Sequence, residues 1–136
     1  MSLYYYALIS NILAYNMPLI SRNGIPMDML PKLPIRGIKD SSTEPQRILE
    51  VLDTFAGDIF VGADSLISFA GNSGCTGVLV SLANVAPELC IDAFGGDISA
   101  QEKLKELERK SLERFPLNLK EMINERFHVP VYLGKP

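Results

Sequence analysis

Histidine, cysteine and surplus positive charge are scarce in this chain, and each shortage removes a class of function. The single His128 excludes a histidine-rich metal centre, and the two cysteines, Cys75 and Cys90, are too few for a disulfide framework. The 13 Lys+Arg stand against 16 Asp+Glu, for a formal net charge of −3. The absence of a basic stripe to neutralise phosphates argues against nucleic acid as the main partner. Residues 1–21 carry no charged side chain at all and are mostly apolar. A spanning helix needs about 20 such residues. No Lys or Arg precedes this run, however; Tyr4, Tyr5, Tyr6 and Tyr15 dilute it, and Asn11, Asn16 and Pro18 interrupt it. The expectation is a short helical piece followed by a buried strand, with no membrane role. Low-complexity tracts are missing too. What is present, 47% apolar and 21% charged residues in 136, is the composition of one ordinary globular domain. A reduced, cytoplasmic protein without a metal or other cofactor is expected.

Four short apolar runs, each closed by turn residues, organise the first two thirds. They are Asn11–Tyr15, Ile35–Lys39, Asp58–Gly62 and Gly77–Ser81. Runs of this length read as strands buried on both faces. The intervening segments read as helices. Thr43-Glu-Pro-Gln46 has capping-box spacing ahead of 47–55, a helix over 66–70 is closed by Gly71, and Pro87 opens a helix that stops at Gly95-Gly96. Between the first two runs, Pro18, Pro26, Pro31 and Pro34 allow at most about a turn of helix around Met27 to Leu30. Strand, crossover and strand at this spacing predict parallel βα units with right-handed crossovers. Beyond residue 97, Ser99-Ala-Gln-Glu102 has capping-box spacing. Leu104, Leu107, Leu112 and Phe115 then share one helical face up to Pro116, and 118–126 forms a last helix. Glu106 and Lys110 form an i,i+4 pair on the solvated side. The expected organisation is βα units over 1–97 and a helical extension of the same domain over 98–136.

Reactive groups in parallel α/β sheets gather where the loops leave the carboxyl ends of the strands. Tyr15, Lys39, Gly62 and Ser81 stand there. Strand alternation puts Leu13 with Tyr15, and Ile35 and Gly37 with Lys39, on one face of adjacent strands. If that face is enclosed, desolvation lowers the lysine pKa and makes the amine a nucleophile for ketones, with the phenol passing protons. A snorkelling strand-end lysine beside a core tyrosine fits the same spacing. Cys75 lies in a Gly-rich stretch that precedes a strand instead of opening a helix, so it is no phosphate cradle. Cys75 and Cys90 read as small buried hydrophobes. Asp53, Asp58, Asp64 and Asp97 form no ligand set, although Asp64 is placed to orient a loop.

Local sequence narrows these alternatives. Tyr15-Asn16-Met17-Pro18, Gly37-Ile38-Lys39-Asp40-Ser41-Ser42, Gly62-Ala63-Asp64 and Gly77-Val78-Leu79-Val80-Ser81-Leu82-Ala83-Asn84-Val85-Ala86-Pro87 occur in order. From Tyr4 to about Leu119 the chain resembles the dihydrodipicolinate synthase and N-acetylneuraminate lyase family of class I pyruvate aldolases, which includes the archaeal 2-keto-3-deoxygluconate aldolases. The Ala-Asn-Val-Ala-Pro version is more similar to the synthase branch, and so to lysine biosynthesis. The resemblance implies the C-terminal half of a TIM (β/α)8 barrel with its site at the C-terminal face. It implies Lys39 as the Schiff-base lysine, Tyr15 as the proton-relaying phenol, Gly62 and the backbone of Leu79 as pyruvate-pocket lining, and Arg22 as a substrate contact. Pyruvate and an aldehyde are the implied substrates. It also implies a chain that begins within the fourth helix, without the Gly-Thr-Thr strand end that holds the pyruvate carboxylate. Two edges and an inner face would then be uncovered. A homo-oligomer or a complementing N-terminal half is expected to cover them, and an inactive half barrel acting only as an assembly partner is the alternative.

Overall fold

A computed structural model describes residues 11–132. The expectations for residues 1–10, including the short helical piece, lie outside them. Four parallel strands form one sheet in the order β1 (Leu13–Asn16), β2 (Gly37–Asp40), β3 (Asp58–Val61) and β4 (Gly77–Val78). The register runs Tyr15 opposite Lys39, Lys39 opposite Phe60, and Val61 opposite Val78. Helices α1 (Pro18–Ser21), α2 (Pro45–Thr54), α3 (Ile67–Asn72) and α4 (Pro87–Phe94) follow the strands in turn. The long α5 (Ile98–Leu112) and then α6 (Leu117–Phe127) complete the described chain. Strands alternating with helices in sequential parallel order make a half of a (β/α)8 barrel followed by C-terminal helices. No helix of the described residues is long and apolar enough to cross a membrane.

One layer of core lies between the sheet and its helices. Ile38, Ile59 and Val61 meet Ile48 and Val51 of α2, all of them buried, and Leu30 closes the same cluster from the Pro-rich connection. Each such aliphatic removed from water contributes about 1.5–3 kcal/mol before the cost of ordering it. A second cluster gathers Ile67, Leu82, Cys90 and Ala93 with Ala100, Leu104 and Leu119, so α5 and α6 are fastened to the β4 side of the sheet. Arg126 on α6 donates to the Val85 carbonyl at 2.6 Å and pairs with Glu88 on α4.

Several sequence expectations are corrected. The strands are not all buried on both faces: Leu13 and Tyr15 are 42% and 55% exposed, because they look toward the uncovered side of an edge strand. The fourth strand stops at Val78 instead of Ser81. Asp64 accepts hydrogen bonds from Ser81 Oγ at 2.8 Å and the Leu82 amide at 2.9 Å, which pulls the chain into a 3-10 turn over Ser81–Asn84. Neither capping box forms. Thr43 adopts φ 63° and turns its hydroxyl to the Ser42 carbonyl, while α2 begins on Pro45. Asp97, not Ser99, caps α5 through the Ser99 and Ala100 amides. Gly71 lies inside α3 and not after it; a Cβ there would collide with the Phe94 carbonyl, so glycine marks the close approach of α3 and α4. Leu112, the last residue of α5, and Phe115 beyond it are exposed and Ser111 takes the buried place, since the face continued from Ala100 and Leu104 falls one residue earlier than expected. Glu106 does approach Lys110 at 3.9 Å, but its shorter partner is Arg109 at 2.8 Å. The connection after β1 contains α1, which was not anticipated, and its 3-10 turn lies at Leu30–Lys32.

Candidate active site

Tyr15 and Lys39 end adjacent paired strands and project to the same side of the sheet. The Lys39 Nζ lies 4.3 Å from the centroid of the Tyr15 ring, within cation–π range. The phenol donates to Met17 Sδ at 2.9 Å. Lys39 is half-buried while Tyr15 is largely exposed, so the pair faces an open surface and not the dry hollow the sequence reading requires. Among the described residues, the four strands have no opposite wall to exclude water from that face.

Two neighbours complete the local geometry. Gly62, on the first turn after β3, is bare because a Cβ there would sit 2.7 Å from Lys39 Cε and closer still to Ser41 Oγ. Its hydrogen atom is what lets the lysine stem pass. Ser41 was not singled out in the sequence. Its hydroxyl is buried beside Lys39 and Gly62 and has no hydrogen-bond partner among the described residues. An orphaned buried hydroxyl at a strand end costs free energy unless something else completes it. The signal for it was present but weak: the second residue after a candidate lysine, on the same strand face, turned toward a glycine. The Ser41 hydroxyl, and after it the Lys39 ammonium, hold the Tyr15 phenol below its ordinary pKa, against an upward push from burial. Ser41 approaches the phenol without a hydrogen bond of ordinary geometry, so the Lys39 charge 4.3 Å from the ring is the cause that the geometry supports.

The remaining predicted site residues stand as follows. Leu79 is 44% exposed just past β4, and its amide donates to the Val61 carbonyl at 2.9 Å, extending the sheet by one bond. Arg22 caps α1 with φ 66°, is exposed, and pairs with no described carboxylate; Leu19 and Ile20 of the same helix are strongly exposed. Asp64 orients the Ser81–Leu82 turn as described, and Gln101 of α5 donates to its carbonyl at 3.0 Å. No group of His, Cys, Asp and Glu among the described residues could hold a metal ion. Both cysteines are buried free thiols, and burial pushes Cys90 up to about 11, helped by the Asp64 and Glu88 charges. Burial raises Cys75 as well. Such thiols are poor nucleophiles near neutrality. His128 is exposed and ends α6 in the left-handed region.

No family model matches the chain. Uncharacterized DapA-like lyases from two strains of Halobacterium salinarum are 30% identical over 88 residues, covering 61% of this chain and 29% of theirs. Among solved structures, a variant of the Sulfolobus solfataricus 2-keto-3-deoxygluconate aldolase superposes with a TM-score of 0.80 at 17% identity, over 98% of this chain and 50% of that one. Dihydrodipicolinate synthase from Acinetobacter baumannii, complexed with pyruvate, gives 0.77 at 22% identity, over 98% and 54%. KD(P)GA from T. tenax gives 0.70 at 25% identity, over 82% and 43%. The chain therefore spans under a third of the curated relatives it matches and about half of these solved chains.

Proposed function

For a chain related in sequence and fold to the C-terminal half of the dihydrodipicolinate synthase and N-acetylneuraminate lyase family, we propose the catalytic half of a Schiff-base pyruvate lyase or aldolase. The observation that carries this reading is the Lys39 amine over the Tyr15 ring at 4.3 Å, with an unsatisfied Ser41 hydroxyl beside it. The Lys39 amine attacks the pyruvate keto carbon. The resulting carbinolamine loses water to give an iminium, and the Tyr15 phenol carries protons to and from the departing oxygen. Loss of a methyl proton gives an enamine. Its carbon attacks the aldehyde carbonyl, the new alkoxide takes up a proton, and hydrolysis frees Lys39; cleavage is the same sequence reversed. Gly62 and the Leu79 backbone border the pyruvate position, Ser41 supplies a hydroxyl to a substrate oxygen, and Arg22 is a contact for the second substrate. No cofactor is needed, because the iminium itself is the electron sink.

Closure against water needs a further wall of strands, supplied by other residues of the polypeptide or by another chain. The homo-oligomer and the complementing half of the barrel are both forms of this proposal. A cytoplasmic location and a role in lysine biosynthesis belong to its synthase version.

The test is incubation with pyruvate and borohydride followed by mass mapping. The expected outcome is a reduced pyruvyl adduct on Lys39 that is absent from Lys39→Ala. Protein left unmodified at saturating pyruvate overturns catalytic competence. The open face around Tyr15 favours a second reading, an inactive half barrel that serves only in assembly. It predicts association without an adduct.

A further inference from the structure

Directly behind the reactive pair lies a buried polar network for which the pyruvate reading gives no role. Asn16 and Asp40 follow Tyr15 and Lys39 in their strands, are paired with each other in register, and point to the opposite side of the sheet. Both are 1% exposed. Asp40 Oδ2 accepts from Asn16 Nδ2 and from Arg47 Nε, each at 2.8 Å, and Oδ1 accepts from the Ser42 amide at 2.8 Å. The Asp40 carbonyl accepts from the Gly62 amide at 2.7 Å. Arg47, in the first turn of α2, also donates to the Ile25 carbonyl at 2.7 Å, and the Ile25 amide donates to Asn16 Oδ1 at 2.8 Å. One carboxylate thus gathers β1, the loop after it, β2, the turn carrying Ser41 and Ser42, and α2, and its backbone reaches β3.

We propose that Asp40 is a positioning residue, which with Arg47 and Asn16 fixes the roll and separation of the two strand ends and so holds the Lys39 amine over the Tyr15 ring. A buried ion pair is a poor source of net stability, because desolvating both groups offsets most of the attraction; what it supplies well is a single geometry. Here that geometry is the one on which the pair depends. An apolar pair filling the same space would bury the strands equally well, but would leave Ile25 and the Ser42 amide unbound and the loop free to shift. The proposal rests on the pyruvate reading for its chemistry, though not for its geometry.

The experiment compares Asp40→Asn with Arg47→Lys, which keeps the charge and loses one of the two donors, in the assembled protein. The first readout is the ultraviolet titration of the Tyr15 phenol, isolated by difference against Tyr15→Phe. Lys39 from β2 is the charged group that faces this phenol and Ser41 the polar one. In the variants that fold, the Tyr15 titration is expected to move up toward that of an ordinary tyrosine. Pyruvate trapping is expected to slow by about ten- to a hundredfold, the usual cost of small misplacements. An unchanged phenol titration in folded Arg47→Lys overturns the positioning role, whatever happens to trapping. If the titration moves but the parent protein never traps pyruvate, the positioning role stands and the pyruvate reading falls.

Discussion

At the residue scale, the site is defined by small side chains as much as by reactive ones. Lys39 reaches the Tyr15 ring because Gly62 gives way and because Ser41 is a serine, short enough to stop beside the lysine stem. Ser41→Ala is expected to leave the denaturation midpoint unchanged or slightly raised, since the hydroxyl has no partner to lose. It is also expected to leave the Tyr15 phenol below its ordinary pKa, because the Lys39 charge over its ring is retained. A thermal melt with the phenol titration measures both, and a clear loss of stability or a phenol that moves up would show that the hydroxyl has a partner after all. Buried Cys75 and Cys90 contribute packing alone at neutral pH.

At the scale of elements, one guanidinium ties α6 to α4 and the turn before it. Arg126 spans the Val85 carbonyl and the Glu88 carboxylate, while Leu119, Met122 and Ile123 pack beneath it. The hydrogen bond from Arg126 holds Glu88 below the ordinary glutamate pKa. A depressed carboxylate contributes to stability above its unfolded pKa, and the contribution fades as pH falls through the folded value. Protection of the α6 amides, taken relative to the intrinsic exchange rate at each pH, is therefore expected to fall on acidification below about pH 4. Glu88→Gln is expected to flatten that dependence. The pair is solvent-exposed, so added salt should weaken the effect. Protection that is as pH-dependent in Glu88→Gln as in the parent would place the acid sensitivity elsewhere.

At the scale of the molecule, β1 and β4 each have one paired edge among the described residues, and Leu13, Tyr15 and Leu79 leave apolar surface exposed. Free edges beside an apolar face favour association. The 136-residue chain is expected to sediment at tens of micromolar above its 15.0 kDa monomer mass, or to do so once four complementary strands are added. A clean monomer under both conditions would show that neither edge is sticky. The fold match to half of several closed barrels fits the same expectation.

Much of this was written in local sequence. The order of four parallel strands, the helix bounds of Pro87–Phe94, and the placement of Tyr15 and Lys39 on one side follow from run length, proline position and the two-residue period of a strand, all of which act within a few residues. Tertiary structure decided what depends on distant partners. Asp64 shortens β4 from 17 residues away, the Phe94 backbone requires Gly71 inside a helix, and Asp40 recruits Arg47 and Asn16 across three segments. The enclosure of the amine belongs to this second class. Strand alternation determines which way a side chain points, but whether it meets water is determined by the strands on the far side, and those contacts have no signature in the residues that carry the chemistry.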